Sequence, residues 1–395
     1  SSVFREKGEF QKSYDLMMPF IPKDTVMVNR NSSKIIKEQL RELVEICNGL
    51  NLSTEEEMYR KRQVAVLKQL YGEANATYAL ALMALGDFYS AHNRIDEAED
   101  AATKSVTAIR STDWAKSAFA VNYLSRLAKI KSGLDKNREA EELFLESISL
   151  AERDTVNNPV YYEGAVADIA DFFAKMGRYQ EAEKTILKLT EFMERRHGRD
   201  FGFSKARASL IWAYYNQRKY KEAREEAGVL IKLAEEEYGV NHWLTLSIHN
   251  YLGIIAGDEN DFVTSKREYQ NFIDGYLAIP TPTISNIGSL AVGYNNLAAA
   301  QINLNEVDEA EVNLKKCERL RKESNIKASI NNRISTLASW TKIHESKGDF
   351  QKAEAEWSEI VTILLSYARD NFYYLSDQEK AEFWKSKSGN FRQFQ

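Results

Sequence analysis

Apolar residues recur along the chain at helical spacing, as in Leu85, Phe88 and Tyr89, in Ile169, Phe172 and Phe173, and in Leu210, Ala213 and Tyr214. Each run gives way to a short polar stretch, and a second run rich in Ala, Glu and Lys follows. In the stretch KMGRYQEAEKTI the small residue Ala182 can serve as an anchor. Matching anchors stand at Ser13, Ala98, Ala140, Ala223, Ser265, Ala310 and Ala353, with a degenerate copy at Glu55. Successive intervals are 42, 43, 42, 42, 41, 42, 45 and 43 residues, which marks one repeated unit rather than a set of unrelated helices.

Three positions before the anchor stands an apolar or aromatic residue: Phe10, Leu52, Ile95, Tyr179, Tyr220, Phe262, Val307 or Phe350. Asn137 is the exception. Five positions before it stands Gly8, Asn93, Gly177, Asn260, Asn305 or Gly348, residue types that tolerate a left-handed backbone. The pattern predicts a first helix, a tight turn and a second helix, with the small anchor letting the two backbones approach. Two places depart from it. Lys131 to Lys136 reads as carrying about two inserted residues, and Pro280-Thr281-Pro282 lengthens the interval from 265 to 310. Insertions of this kind map to loops at the edge of a stack.

Composition changes the picture mainly by exclusion. The 395 residues are 44% hydrophobic and 28% charged, with only 5 prolines and 18 glycines, as expected of an all-α chain with a continuous core. With 53 basic and 58 acidic residues the net charge of -5 offers no general attraction for a nucleic-acid backbone. Cys47 and Cys317 have no thiol or histidine at ligand spacing, so they are expected to be small buried residues, with no metal and no cofactor implied. No apolar run approaches a membrane-spanning length. A cytoplasmic protein is slightly favoured, but the chain opens Ser1-Ser2-Val3-Phe4 without a methionine, so an exported one with its leader removed stays open.

The repeat resembles the tetratricopeptide family, through Leu85-Gly86 with Tyr89, through Leu252-Gly253, and through the turn glycine, aromatic and small residue that follow. Its period is similar to the long-repeat variant of kinesin light chains, and Tyr238-Gly239-Val240-Asn241-His242-Trp243-Leu244-Thr245 resembles the phrase that bridges repeats there. The resemblance implies an all-α, right-handed superhelical solenoid of antiparallel helix pairs over residues 1–369, about nine repeats with the first truncated. It also implies a concave groove lined by the first helix of each pair, at positions 18, 15, 11, 8 and 7 before the anchor. Those positions hold Asp171 and Lys175; Lys205, Trp212, Tyr215 and Asn216; Asn250 and Asp258; Asn295 and Asn303; and Lys342 and Glu345. Amides there can bond a peptide backbone as donor and acceptor together, and an exposed Trp or Tyr offers a large rigid contact. Packing between repeats is the competing reading for Trp212 and Tyr215, and a solvated face for the asparagines.

Catalytic signals are weak. His92, His197, His242, His249 and His344 lie mostly in expected surface or connector positions, with no nucleophile or carboxylate at motif spacing. Arg195, Arg196, His197 and Arg199 read as a solvated helix end favoured by the helix dipole. No phosphate loop, nucleophile elbow or zinc-protease motif occurs, so an enzyme is not expected. Beyond Arg369, Asn371 to Trp384 starts another helix, with Ser376 and Glu379 at capping-box spacing. This segment resembles the one that closes the repeat region in bacterial proteins with a C-terminal caspase-like CHAT domain. Residues 370–395 are therefore expected to be a capping or linker helix leading to a fused caspase-like domain outside this sequence. The expected partner is a protein or peptide in the groove, and the alternative is a signal-peptide or small-ligand receptor.

Overall fold

The computed structural model describes residues 10–17, 30–50, 52–92, 94–324 and 329–371. The turn positions Gly8 and Asn93, and the segment from Phe372 to Trp384, lie outside the described residues. Among those described there are seventeen α-helices and no strand. The chain divides into two compact units, Ser1–Thr185 and Ile186–Gln395. The first contains α1 (Phe10–Met17), α2 (Arg30–Gly49), α3 (Ser53–Tyr71), α4 (Ala76–Ala91), α5 (Ile95–Arg110), α6 (Phe119–Gly133), α7 (Asn137–Ala151) and α8 (Pro159–Lys175). The division falls within α9 (Tyr179–His197). The second contains α10 (Phe201–Asn216), α11 (Tyr220–Tyr238), α12 (Trp243–Asp258), α13 (Phe262–Leu277), α14 (Ile284–Asn303), α15 (Val307–Glu323), α16 (Ile330–Ser346) and α17 (Phe350–Asn371). Even-numbered helices are the first of each pair and odd-numbered helices the second.

The turn between them is the same object each time. Five positions before the anchor the backbone is left-handed at Asp135, Gly177, Arg218, Asn260, Asn305 and Gly348, with φ between 58° and 76°. The next amide then closes on the carbonyl five residues back: Lys136 on Lys131, Arg178 on Phe173, Lys219 on Tyr214, Asp261 on Ala256, Glu306 on Gln301 and Asp349 on His344, at 2.8–3.0 Å. That bond satisfies a carbonyl that the end of the helix would leave open. Two sequence expectations change here. Asp135 and Arg218 take the left-handed conformation although neither is Gly or Asn. The stretch Lys131 to Lys136 carries no insertion: it closes like the others, and the connector before α6 includes a 3-10 turn at Asp113–Lys116.

Seven second helices of the clear copies, α5, α7, α9, α11, α13, α15 and α17, start three residues before the anchor, as α1 does before Ser13. The degenerate copy is one residue out of register. α3 starts at Ser53 instead of Leu52, and the residue inside is Glu56, 6% exposed and paired with Arg60 at 2.7 Å, so Glu56 and not Glu55 fills the anchor position. Elsewhere the anchor alanines are fully or nearly fully buried, and the close approach is visible directly. A Cβ on Gly86 would stand 3.2 Å from the Ala98 carbonyl, and Ser265 donates to the Gly253 carbonyl at 2.8 Å.

The remaining expected features have mechanical causes. In the bridging phrase, Gly239 has φ 91°, the Thr245 hydroxyl donates to the Gly239 carbonyl at 2.9 Å, and His242 caps α12 by accepting from the Leu244 amide. The Pro280 to Pro282 connector leads to Thr283, which forms a reciprocal cap with Asn286 at the start of α14. Leu85, Phe88, Tyr89, Ile169, Phe172, Phe173, Leu210 and Ala213 are all in the core. Cys47 and Cys317 are buried and unpaired, and burial pushes both thiols up to about 11, which leaves them protonated and unreactive. No described helix is long and apolar enough to cross a membrane.

Candidate ligand-binding face

Neighbouring first helices meet along a seam that joins the residue 11 before one anchor to the residue 14 before the next. In the first unit the seam is ionic. Asp87 on α4 pairs with Arg126 on α6, and Lys129 on α6 pairs with Asp168 on α8 at 2.7 Å. In the second unit the equivalent pair is aromatic. Trp212 on α10 lies 6.0 Å from Tyr251 on α12, with the rings 33° apart. Where the ionic seam neutralises its own charges, the aromatic one presents flat faces that a ligand can cover.

Around Trp212 the structure assembles a small built surface. Tyr215, one turn further along α10, stacks on the indole at 5.2 Å and 25°. Its hydroxyl donates to Asp258 Oδ2 at 2.9 Å, and the Tyr220 hydroxyl approaches the same oxygen at 3.4 Å. Burial, followed by the charge of Asp258, drives the Tyr215 hydroxyl far above its ordinary range, so it stays a donor. The Asn216 amide is turned inward onto the Trp212 carbonyl at 2.8 Å and stiffens the end of the helix. Trp212 is 39% exposed, and Asp258 is exposed beside it.

The other sequence candidates divide by environment. Lys205 is exposed near the start of α10. Asn250 is half-buried and accepts from Asn296 on α14 at 3.2 Å, so one side of its amide is already used. Asn295 is 3% exposed: its NH₂ donates to Ser335 and its oxygen accepts from Thr336, both at 2.9 Å, which makes it a tie between α14 and α16. Asn303 is exposed but donates to Ala299 of its own helix at 2.8 Å. Lys342 is half-buried and Glu345 exposed on α16. Asp171 and Lys175 are exposed on α8, in the first unit. The structure thus brings together Trp212, Tyr215, Asn216 and Asp258.

Tyr251 and Tyr220 belong to this surface and sequence reasoning missed them. Tyr251 occupies a position outside the expected groove set, and Tyr220 reads as a packing residue at the start of a second helix. The histidines also differ from expectation. His249 and His344 are half-buried and paired with Glu268 at 2.8 Å and Glu356 at 2.9 Å, each joining the two helices of one repeat. No group of His, Cys, Asp and Glu suited to a metal occurs among the described residues.

No protein-family model and no curated protein matches the chain. Solved structures do. BtubC (BKLC) from P. vanneervenii is similar at 16% identity and TM-score 0.53, over 60% of this chain and 94% of that one. A signal transduction ATPase with numerous domains and a tetratricopeptide repeat sensor, from Pyrococcus horikoshii, is similar at 14% and 0.58, over 86% of this chain and 49% of that one. The apo form of the quorum sensor NprR from B. thuringiensis is similar at 15% and 0.53, over 74% and 80%. At these identities the likeness is one of fold, and it agrees with the repeat geometry: an all-α helical solenoid of tetratricopeptide type.

Proposed function

We propose that this protein is a non-enzymatic scaffold whose second unit binds an extended peptide or protein segment along its first helices. The observation that carries this reading is the surface of Trp212, Tyr215, Tyr251 and Asp258, where an exposed indole is held rigid by stacking and by a phenol fixed on a carboxylate. Rigid aromatics of this kind give contact area at little entropic cost. Asn250 and Lys205 extend the face along α12 and α10, and Lys342 and Glu345 continue it on α16. In this reading the repeats are the sensing or regulatory part of a bacterial protein with a caspase-like CHAT domain, supported by the likeness of Asn371 to Trp384 to the segment that precedes such domains. Random peptides displayed on phage and selected on the 395-residue chain test it. Selected peptides are expected to lose binding to Trp212→Ala and Asn250→Ala, with circular dichroism unchanged. Selection of binders indifferent to both changes overturns the assignment of the face.

A second reading, a receptor that closes around a signal peptide or small ligand, draws on the likeness to the fold of the quorum sensor NprR. It predicts a decrease in the radius of gyration by small-angle scattering when a selected peptide is added. A scaffold that binds without changing pitch shows none.

A further inference from the structure

Beside the aromatic seam of the second unit stands a carboxylate, Asp258, whose partners among the described residues are uncharged. Across the first unit's seam two carboxylates take a cation from the neighbouring first helix, Arg126 for Asp87 and Lys129 for Asp168; Asp258 stands beside the seam of the second unit, not at a seam position. Asp258 has no such cation. Among the described residues its partners are two neutral phenols, Tyr215 and Tyr220, and no Lys, Arg or His lies within ion-pair distance. Lys219, the turn cation before Tyr220, lies over the Tyr214 ring at 5.6 Å. Arg224 pairs with Glu259, and Arg218 faces Tyr220 from the turn without an ion pair to Asp258. An exposed carboxylate, held in place by two hydroxyls, therefore stands one tyrosine length from an exposed indole.

We infer that this surface takes an arginine side chain of the bound peptide, with the guanidinium plane on the Trp212 ring and its N–H groups on Asp258. The inference rests on the peptide-scaffold reading and names the chemistry of its ligand. A planar guanidinium suits the site better than an ammonium because it stacks on an aromatic face while donating in its own plane. Only one oxygen of Asp258 is taken by the phenols, so the other lone pairs remain for the ligand. Tyr215 is a positioning residue here: it supports the indole from one side and aims the carboxylate with its hydroxyl.

The test uses the full chain and four capped pentapeptides, Gly-Gly-X-Gly-Gly, with X as arginine, citrulline, lysine or glutamate. The readout is the indole N–H resonance of Trp212, assigned by its loss in Trp212→Phe. Citrulline keeps the shape and removes the charge. The arginine peptide is expected to shift the resonance saturably and at least ~10-fold more tightly than citrulline, with lysine between them and glutamate inert. Asp258→Asn should abolish the arginine preference while leaving the indole signal in place, and Tyr215→Phe should weaken it. Equal binding of arginine and citrulline, a preference that survives Asp258→Asn, or no saturable shift with arginine overturns the inference. Phage-selected peptides that need Trp212 but contain no cation overturn it and leave the scaffold reading standing. Absence of any Trp212-dependent peptide removes both.

Discussion

At the scale of single residues, the structure separates positions that bear strain from those that bear function. Arg218 adopts φ 60° because the repeat demands a left-handed residue there, and nothing in its side chain favours it. A side chain in that conformation costs about 1–2 kcal/mol, of which glycine recovers part after its larger loss of backbone freedom. Arg218→Gly is therefore expected to raise stability by about 0.5–1 kcal/mol in urea titration, and Gly177→Ala to lower it by a similar amount. The four asparagines of the expected groove set, Asn216, Asn250, Asn295 and Asn303, are similarly unequal. Asn295→Ala would remove the tie from α14 to Ser335 and Thr336, though Thr336 keeps Arg321 and the Asn332 carbonyl, and should cost about 1 kcal/mol, while Asn303→Ala, exposed and bonded to its own helix, should fall within about 0.5 kcal/mol of the parent.

At the scale of helices, the repeat was legible because its signals are local, and its seams were not because they join distant residues. Anchor, turn and second-helix start all lie within six residues, so a single repeat displays them. What pairs across repeats needs the stack. The residue after one anchor meets the turn region of the next repeat: Glu57 with Arg94, Glu99 with Lys136 and Glu141 with Arg178 in the first unit. In the second unit the signs reverse at Arg224 with Glu259 and Lys266 with Glu306, then return at Glu311 with Lys347. Where the signs change the pattern works against slipped stacking, since a one-repeat slip would set Lys266 against Lys347. It also explains why the copy at Glu55 was misplaced by one: only with Glu56 as anchor does the partner of Arg94 follow it directly. Lys266→Glu should destabilise by about 0.5–1 kcal/mol through repulsion with Glu306, and adding Glu306→Lys should restore most of it. Denaturant midpoints of the four members of that cycle measure the coupling, and strict additivity would mean that the pair contributes nothing. The aromatic surface was partly legible for the same reason: Trp212, Tyr215 and Asp258 each stand at a groove position of a single repeat, whereas Tyr251 and Tyr220 join them only through contacts between helices.

At the scale of the whole molecule, these pairs make stability depend on pH in one direction. The hydrogen bonds from Arg94, and then from Lys61, hold the Glu57 carboxyl at about 2, and those from Lys315 and Lys347 hold Glu311 at about 2, against an ordinary 4.5. Burial alone would push Glu268 up, but the hydrogen bonds and charges of His249 and Arg267 together leave it lowered. A carboxyl depressed in the folded state takes up its proton later than it does in the unfolded chain. Between about pH 4.5 and 2 the unfolded state thus binds more protons, so the contribution is complete above pH 4.5 and drains away as the pH falls. Exposed pairs each contribute little, and the effect comes from several acting together along the stack. The urea midpoint should accordingly be level from pH 7 to 5 and fall steeply below 4.5, with the low-pH fall softened in Glu57→Gln and Glu311→Gln. Added salt should lower the neutral plateau, since it screens the same pairs. An acid limb of unchanged slope in the double variant would show that other carboxylates govern it; a shallower one assigns it to Glu57 and Glu311 with the cations that hold them, Lys61 and Lys315 within a helix as well as Arg94 and Lys347 across repeats.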